Sequence, residues 1–95
     1  MLGLKTGKRD KLRIYYDILA ALGDVSHIEG SCLTRVAHRA NLPYDRFYEY
    51  LRGLVRLDMV SKVGEGRFFV TRKGLEYAKE FERMDDVLSR MGLSL

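Results

Sequence analysis

The sequence predicts a mainly α-helical fold with one small β-hairpin. Three observations carry that expectation. Three stretches within the first 57 residues repeat apolar side chains at the spacing of one helix face. After Asp58 the period changes, and two short strand-forming runs flank Gly64-Glu65-Gly66. Beyond Thr71 the helical period returns and continues to Met91. The 95 residues are 46% hydrophobic and include six Tyr and four Phe, enough for one modest core and a single folded domain. A core of that size is often supplemented by oligomerisation.

Residues 1–9 hold three cations and two glycines with few apolar anchors, and read as a flexible basic arm. Helix 1 is expected from Asp10, a good N-cap, to Leu22, with Gly23 as its stop. Leu12, Tyr15, Tyr16, Leu19 and Leu22 make its apolar face, widened by Ile14, Ile18 and Ala21. Only a stripe through Arg13, Asp17 and Asp24 reads as solvated, so the helix should be covered on two sides. Val25 to Gly30 suits a short extended piece. Ser31 then caps helix 2, Cys32 to Ala40, with Leu33, Val36, Ala37 and Ala40 inward and Arg35, His38 and Arg39 outward. Pro43 cannot continue that helix but suits the first turn of the next. Helix 3 runs from Tyr44 to Leu57, burying Phe47, Tyr50, Leu51, Leu54 and Val55. Strands are expected over 59–63 and 67–71, joined by the glycine turn. The last helix starts at Thr71 or Arg72 and stops at Gly92.

In that helix Leu75 and Ala78 are expected to pack on the domain. A second stripe reads Tyr77, Phe81, Met84, Leu88, Met91, with gaps of 4, 3, 4 and 3. That is the heptad spacing of a coiled-coil seam, and it predicts a homodimer; the same residues could instead pack back on helix 1. The chain thus divides into an arm (1–9), a domain (10–74) and a dimerisation helix (75–95).

The net charge is +4 and is unevenly spread. Residues 1–13 carry five cations against Asp10, a net of +4. Residues 31–56 carry five arginines against Asp45 and Glu49, and residues 62–73 carry four cations against Glu65, a net of +3 each. Residues 76–95 are acidic, with three cations against five carboxylates. A fold that gathers the three cationic segments on one side makes a basic face suited to an anionic partner.

Other function classes find little support. The single Cys32 excludes an intramolecular disulfide and fits a reducing interior. The N-terminus lacks an apolar signal core, and no apolar run approaches the ~18 residues of a membrane span, so a cytoplasmic, nucleoid-associated protein is expected. His27, Cys32 and His38 match no metal spacing, and no glycine-rich phosphate loop is present. No catalytic residue, metal, cofactor or small-molecule substrate is expected, and the chain does not read as an enzyme.

Three helices followed by a β-hairpin is the order of a winged helix-turn-helix, here with an extra C-terminal helix. In such a fold the second helix of the helix-turn-helix enters the DNA major groove. Helix 3 meets the physical demands: one face anchors it in the core and the other offers donors. Arg46, Tyr48 and Arg52 suit base edges or phosphates, with Arg35 and Arg39 projecting from helix 2. Glu49 could accept from cytosine, or it could pair with Arg46 or Arg52. Lys62 and Arg67 flank the hairpin tip and suit phosphate or minor-groove contact. Charged outer faces are also the ordinary solvated surface of helices, and a winged helix can dock a protein or RNA instead.

Thr34-Arg35-Val36, Ala40-Asn41-Leu42-Pro43-Tyr44, Tyr50-Leu51, Gly66-Arg67-Phe68 and Val70-Thr71-Arg72-Lys73-Gly74 together resemble a family of archaeal winged-helix proteins. That family includes small basic chromatin proteins that dimerise through a C-terminal antiparallel coiled coil, and related transcriptional regulators. The resemblance implies DNA binding through Tyr44, Arg46, Tyr48 and Arg52 of helix 3 and through Lys62 and Arg67 of the wing. It also implies a coiled-coil dimer carried by Tyr77, Phe81, Met84, Leu88 and Met91. Pro43 stands where the family usually has Ser, which removes a hydroxyl cap, and the last helix is short for the chromatin proteins.

Overall fold

The computed structural model describes residues 10–25, 33–64 and 66–93. Four helices and a two-stranded hairpin run in the order α1 (Lys11–Val25), α2 (Leu33–Arg39), α3 (Tyr44–Arg56), β1 (Val60–Lys62), β2 (Phe68–Val70) and α4 (Arg72–Arg90). The fold is the mainly helical, hairpin-bearing one that the periodicities predict. The basic arm, the 25–30 extended piece, the Ser31 cap, His27, Cys32 and Glu65 fall wholly or largely outside the described residues.

α1 starts where expected, with the Asp10 carboxylate accepting from the Arg13 amide at 3.0 Å. It does not stop at Gly23 but continues to Val25. Gly23 has no positive φ, so it does not form the left-handed C-terminal turn that ends a helix. The other helices do end that way. Asn41 (φ 61°), Asp58 (φ 66°) and Gly92 (φ 85°) come after α2, α3 and α4. Past each of them, the next amide returns to a carbonyl of the last turn: Leu42 to Ala37, Met59 to Leu54 and Leu93 to Leu88, at 2.7–3.0 Å.

The core forms where the apolar faces of α1, α2 and α3 meet the hairpin. Ile18, Leu22, Val36, Phe47, Leu51, Leu54 and Val60 are almost wholly buried. α1 is its axis and touches α2, α3, α4 and β2. β1 and β2 are antiparallel with Val60 opposite Val70, Ser61 opposite Phe69 and Lys62 opposite Phe68. Only three residues of each expected five-residue strand form regular ladder, although Val63 still donates to Arg67 at 2.8 Å. Gly64 and Gly66 both take positive φ, the geometry this tight tip requires.

The hairpin runs straight into α4 through Thr71. Its hydroxyl donates to the Asp58 carbonyl at 2.7 Å and accepts from the Gly74 amide at 3.1 Å. Its own amide donates to the Met59 carbonyl at 3.0 Å. Gly74 packs against that same peptide: a Cβ there would lie 2.3 Å from the Met59 carbonyl oxygen. The Thr71-Arg72-Lys73-Gly74 signature is thus the joint between α3, hairpin and α4.

α4 corrects three expectations. Leu75, expected on the domain, is 53% exposed, and so is much of Leu12 on α1. Tyr77 and Phe81, expected to open the heptad seam, pack on α1 within the chain. Phe81 is buried and its ring stacks on Tyr16 with centroids 4.8 Å apart. The Tyr77 hydroxyl donates to the Leu12 carbonyl at 2.5 Å and the Tyr16 hydroxyl to Glu82 at 2.6 Å. Nor is the Arg13–Asp17 stripe freely solvated. Arg13 lies between Asp17 (3.8 Å) and Asp85 of α4 (3.9 Å), over the Phe81 ring. The cause is geometric: Phe81 and Tyr77 share a face with Ala78, and α1 is long enough to cover all of it. Outside that contact Met84, Val87, Met91 and Leu93 are exposed and Leu88 is half-buried.

Candidate nucleic-acid interface

α3 is anchored by Phe47, Leu51 and Leu54, and braced at Tyr50, whose ring meets Tyr15 edge-on at 5.9 Å. Pro43 precedes it in extended conformation (φ −62°, ψ 147°) and no side chain caps it, as the missing hydroxyl implies. Burying 47, 51 and 54 turns Asp45, Glu49, Arg52 and Arg56 to solvent on the opposite side.

Two grooves flank this exposed face. On the hairpin side, Tyr44 and Tyr48 stack at 6.0 Å and, with Leu33, Lys62, Gly66 and Phe68, line a groove of about 210 Å³. Lys62 reaches over the Phe68 ring, 6.0 Å from its centroid. On the other side, the start of α1 and α3 enclose a cleft of about 510 Å³ lined by Lys11, Tyr15, Glu49, Tyr50, Arg52, Gly53 and Arg56. Arg46 leans this way too, 6.0 Å from the Tyr50 ring.

The residues singled out from sequence therefore separate. Tyr44, Tyr48 and Lys62 share the hairpin groove, and Glu49 and Arg52 share the α1 cleft. Arg67 is exposed beside the hairpin tip. Arg35 and Arg39 are exposed on α2 and line neither groove. Two cations were not singled out. Arg56 stands one turn beyond Arg52 on the same helix face, a signal readable from the helical period. Lys11 comes from a distant segment, and no local pattern marks it.

Among the described residues, no carboxylate pairs with Arg46, Arg52, Arg56, Lys62 or Arg67. The ion pairs instead lie on α1 and α4: Arg13 with Asp17 and Asp85, Arg83 with Glu80 (2.6 Å) and Arg90 with Asp86. Glu49 is thus not the internal partner of Arg46 or Arg52. Among the described residues the α3 and hairpin cations thus have no carboxylate partner, whereas on α4 Arg83 and Arg90 are paired within their own helix. No group of His, Cys, Asp and Glu among the described residues could hold a metal, and no described helix is long and apolar enough to cross a membrane.

A helix-turn-helix whose second helix is seated on the first, with a two-stranded hairpin beside its exposed face, defines a winged helix-turn-helix domain. The winged helix-turn-helix family model matches residues 8–89, and the chain belongs to that family. Membership suggests DNA binding in general and is typical of domains that are not enzymes. Comparison with curated proteins gives no match.

Proposed function

We propose that the protein binds double-stranded DNA as a homodimeric transcriptional regulator or nucleoid-associated protein. α3 enters the major groove, and the hairpin wing lies on the flanking backbone. The observation that carries this reading is the charge on α3. Arg46, Arg52 and Arg56 project from a helix whose other face is locked in the core, and no described carboxylate neutralises them. In this reading Arg52 and Glu49, at the edge of the α1 cleft, reach base edges, guanidinium to guanine and carboxylate to cytosine. Tyr44, Tyr48, Lys62 and Arg67 meet phosphates along the wing, with Arg35 and Arg39 of α2 on the backbone beyond.

The second copy joins through the outer half of α4. Met84, Val87, Leu88 and Met91 succeed one another at helical spacing where α1 no longer covers the helix. Exposed apolar stripes of this kind on a small domain suit a partner helix.

Selection of bound sequences from a random duplex pool tests the reading. The expected result is a two-fold symmetric consensus. Arg52→Ala then weakens the selected site by about 1–3 kcal/mol and relaxes one position. Recovery of no duplex, with capture of single-stranded RNA instead, overturns the proposal.

A further inference from the structure

We infer that the cleft between the start of α1 and α3 is a sugar–phosphate site. Its lining holds three cations, Lys11, Arg52 and Arg56, against one carboxylate, Glu49, and its other polar groups are the phenols of Tyr15 and Tyr50. That is a net of +2 with two neutral hydroxyl donors, chemistry that selects an oxyanion carrying several acceptor oxygens. The volume of about 510 Å³ exceeds a bare phosphate and accommodates one with its sugar attached.

The floor is built for this. Tyr15 is only 8% exposed, and its ring is held between Tyr50 edge-on at 5.9 Å and the Lys11 ammonium 5.7 Å from its centroid. Its hydroxyl reaches α3 at Gly53, where a Cβ would lie 3.1 Å from the oxygen. Among the described residues that hydroxyl has no hydrogen-bond partner, and Tyr15 is part of the cleft lining. A phenol fixed on three sides, with its donor left for the cavity, supplies one directed bond. Lys11 and Arg56 supply charge from two elements far apart in sequence. A basic segment such as residues 1–9 is a poor occupant, since like charges would be brought together.

The sugar–phosphate can come from a DNA strand beside α3, which rests on the DNA-binding reading above, or from a free nucleotide. Titration of the full-length protein with thymidine monophosphate, monitored by nuclear magnetic resonance, separates the two. Saturable shifts at the Gly53 amide and Tyr15 ring are expected, with none from thymidine. Lys11→Gln should weaken binding about tenfold and Tyr15→Phe about threefold, as loss of a charged and a neutral donor does. Duplex that displaces the nucleotide, with a salt dependence reduced by about one phosphate in Lys11→Gln, assigns the site to the DNA backbone. Duplex that binds and leaves the nucleotide in place assigns it to a free ligand. If the wild type binds no duplex, the DNA-binding reading falls and the nucleotide titration alone decides the cleft. The inference is overturned by absence of cleft shifts together with an unchanged salt dependence in Lys11→Gln. Nucleotide binding equally strong in both variants overturns it as well.

Discussion

Gly23 and Gly74 are both helical glycines, and their surroundings give them opposite roles. Around Gly23 no atom lies within 4 Å of an added Cβ and φ is not positive, so Gly23→Ala should stabilise by up to about 1 kcal/mol through helix propensity. At Gly74 the added Cβ would meet a backbone oxygen at 2.3 Å and the Val70 side chain at 2.9 Å. Neither can withdraw without moving the hairpin. Gly74→Ala should cost about 1–3 kcal/mol despite the better propensity. Denaturant titration checks both: the midpoints move in opposite directions and the slopes stay constant. Tyr16 bears on pH. Its phenol is pushed from 10.0 up to about 12, first by the hydrogen bond it donates to Glu82, then by burial and by the charges of Glu82 and Asp17, with Arg13 opposing. A phenol that holds its proton more tightly in the fold stabilises the fold while protonated. That contribution is fully present below the unfolded value of about 10 and is lost as pH rises through about 12. Tyr77, raised chiefly by burial, acts in the same direction. The stability difference between wild type and Tyr16→Phe should therefore be constant from neutral pH to about 10 and shrink above it. An unchanged difference at higher pH would remove Glu82 as the cause.

At the scale of elements, α4 is where sequence and structure diverge most instructively. Heptad spacing revealed that one face of this helix is apolar but could not say what covers it. α1 takes Tyr77 and Phe81, so the apolar stripe left exposed is shorter than the heptad and includes Val87, which the strict heptad omits. Phe81→Ala should therefore destabilise the monomer by about 3 kcal/mol. Met84→Lys and Met91→Lys should leave monomer stability within about 0.5 kcal/mol but raise the dimer dissociation constant, read by sedimentation equilibrium. Dimers unchanged by both lysines would exclude this face. α3 was legible throughout, because Phe47, Leu51 and Leu54 repeat at one unbroken helical spacing and Pro43 marks the start. The end of α1 was not. Gly23 carries the residue type of a stop, but residue type alone does not turn the chain left-handed, and here the helix runs on for two more residues. Asn41 and Asp58 show the converse, since polar residues take the left-handed position and end their helices without a glycine. The α1 cleft was likewise hidden, because Lys11 and Arg56 meet only through tertiary packing.

The molecule measures 44 × 26 × 22 Å, and the 19 residues of α4 span about 28 Å. The cations of α3 and the hairpin have no described carboxylate partner, whereas Arg13 of α1 and Arg83 and Arg90 of α4 are paired. A dimer that neutralises about six phosphates should lose affinity with salt at a logarithmic slope of about −5. Affinity insensitive to salt would rule out a backbone-dominated complex. One helix underlies this arrangement, since α1 seats α3 on one flank and clasps Phe81 of α4 on another. Two copies joined through α4 would then hold their reading helices at a separation fixed by the girth of α1. That helix is a ruler, and a change in the bulk of the residues it wedges against α4 would recalibrate the distance between the two stretches of duplex the pair can grip.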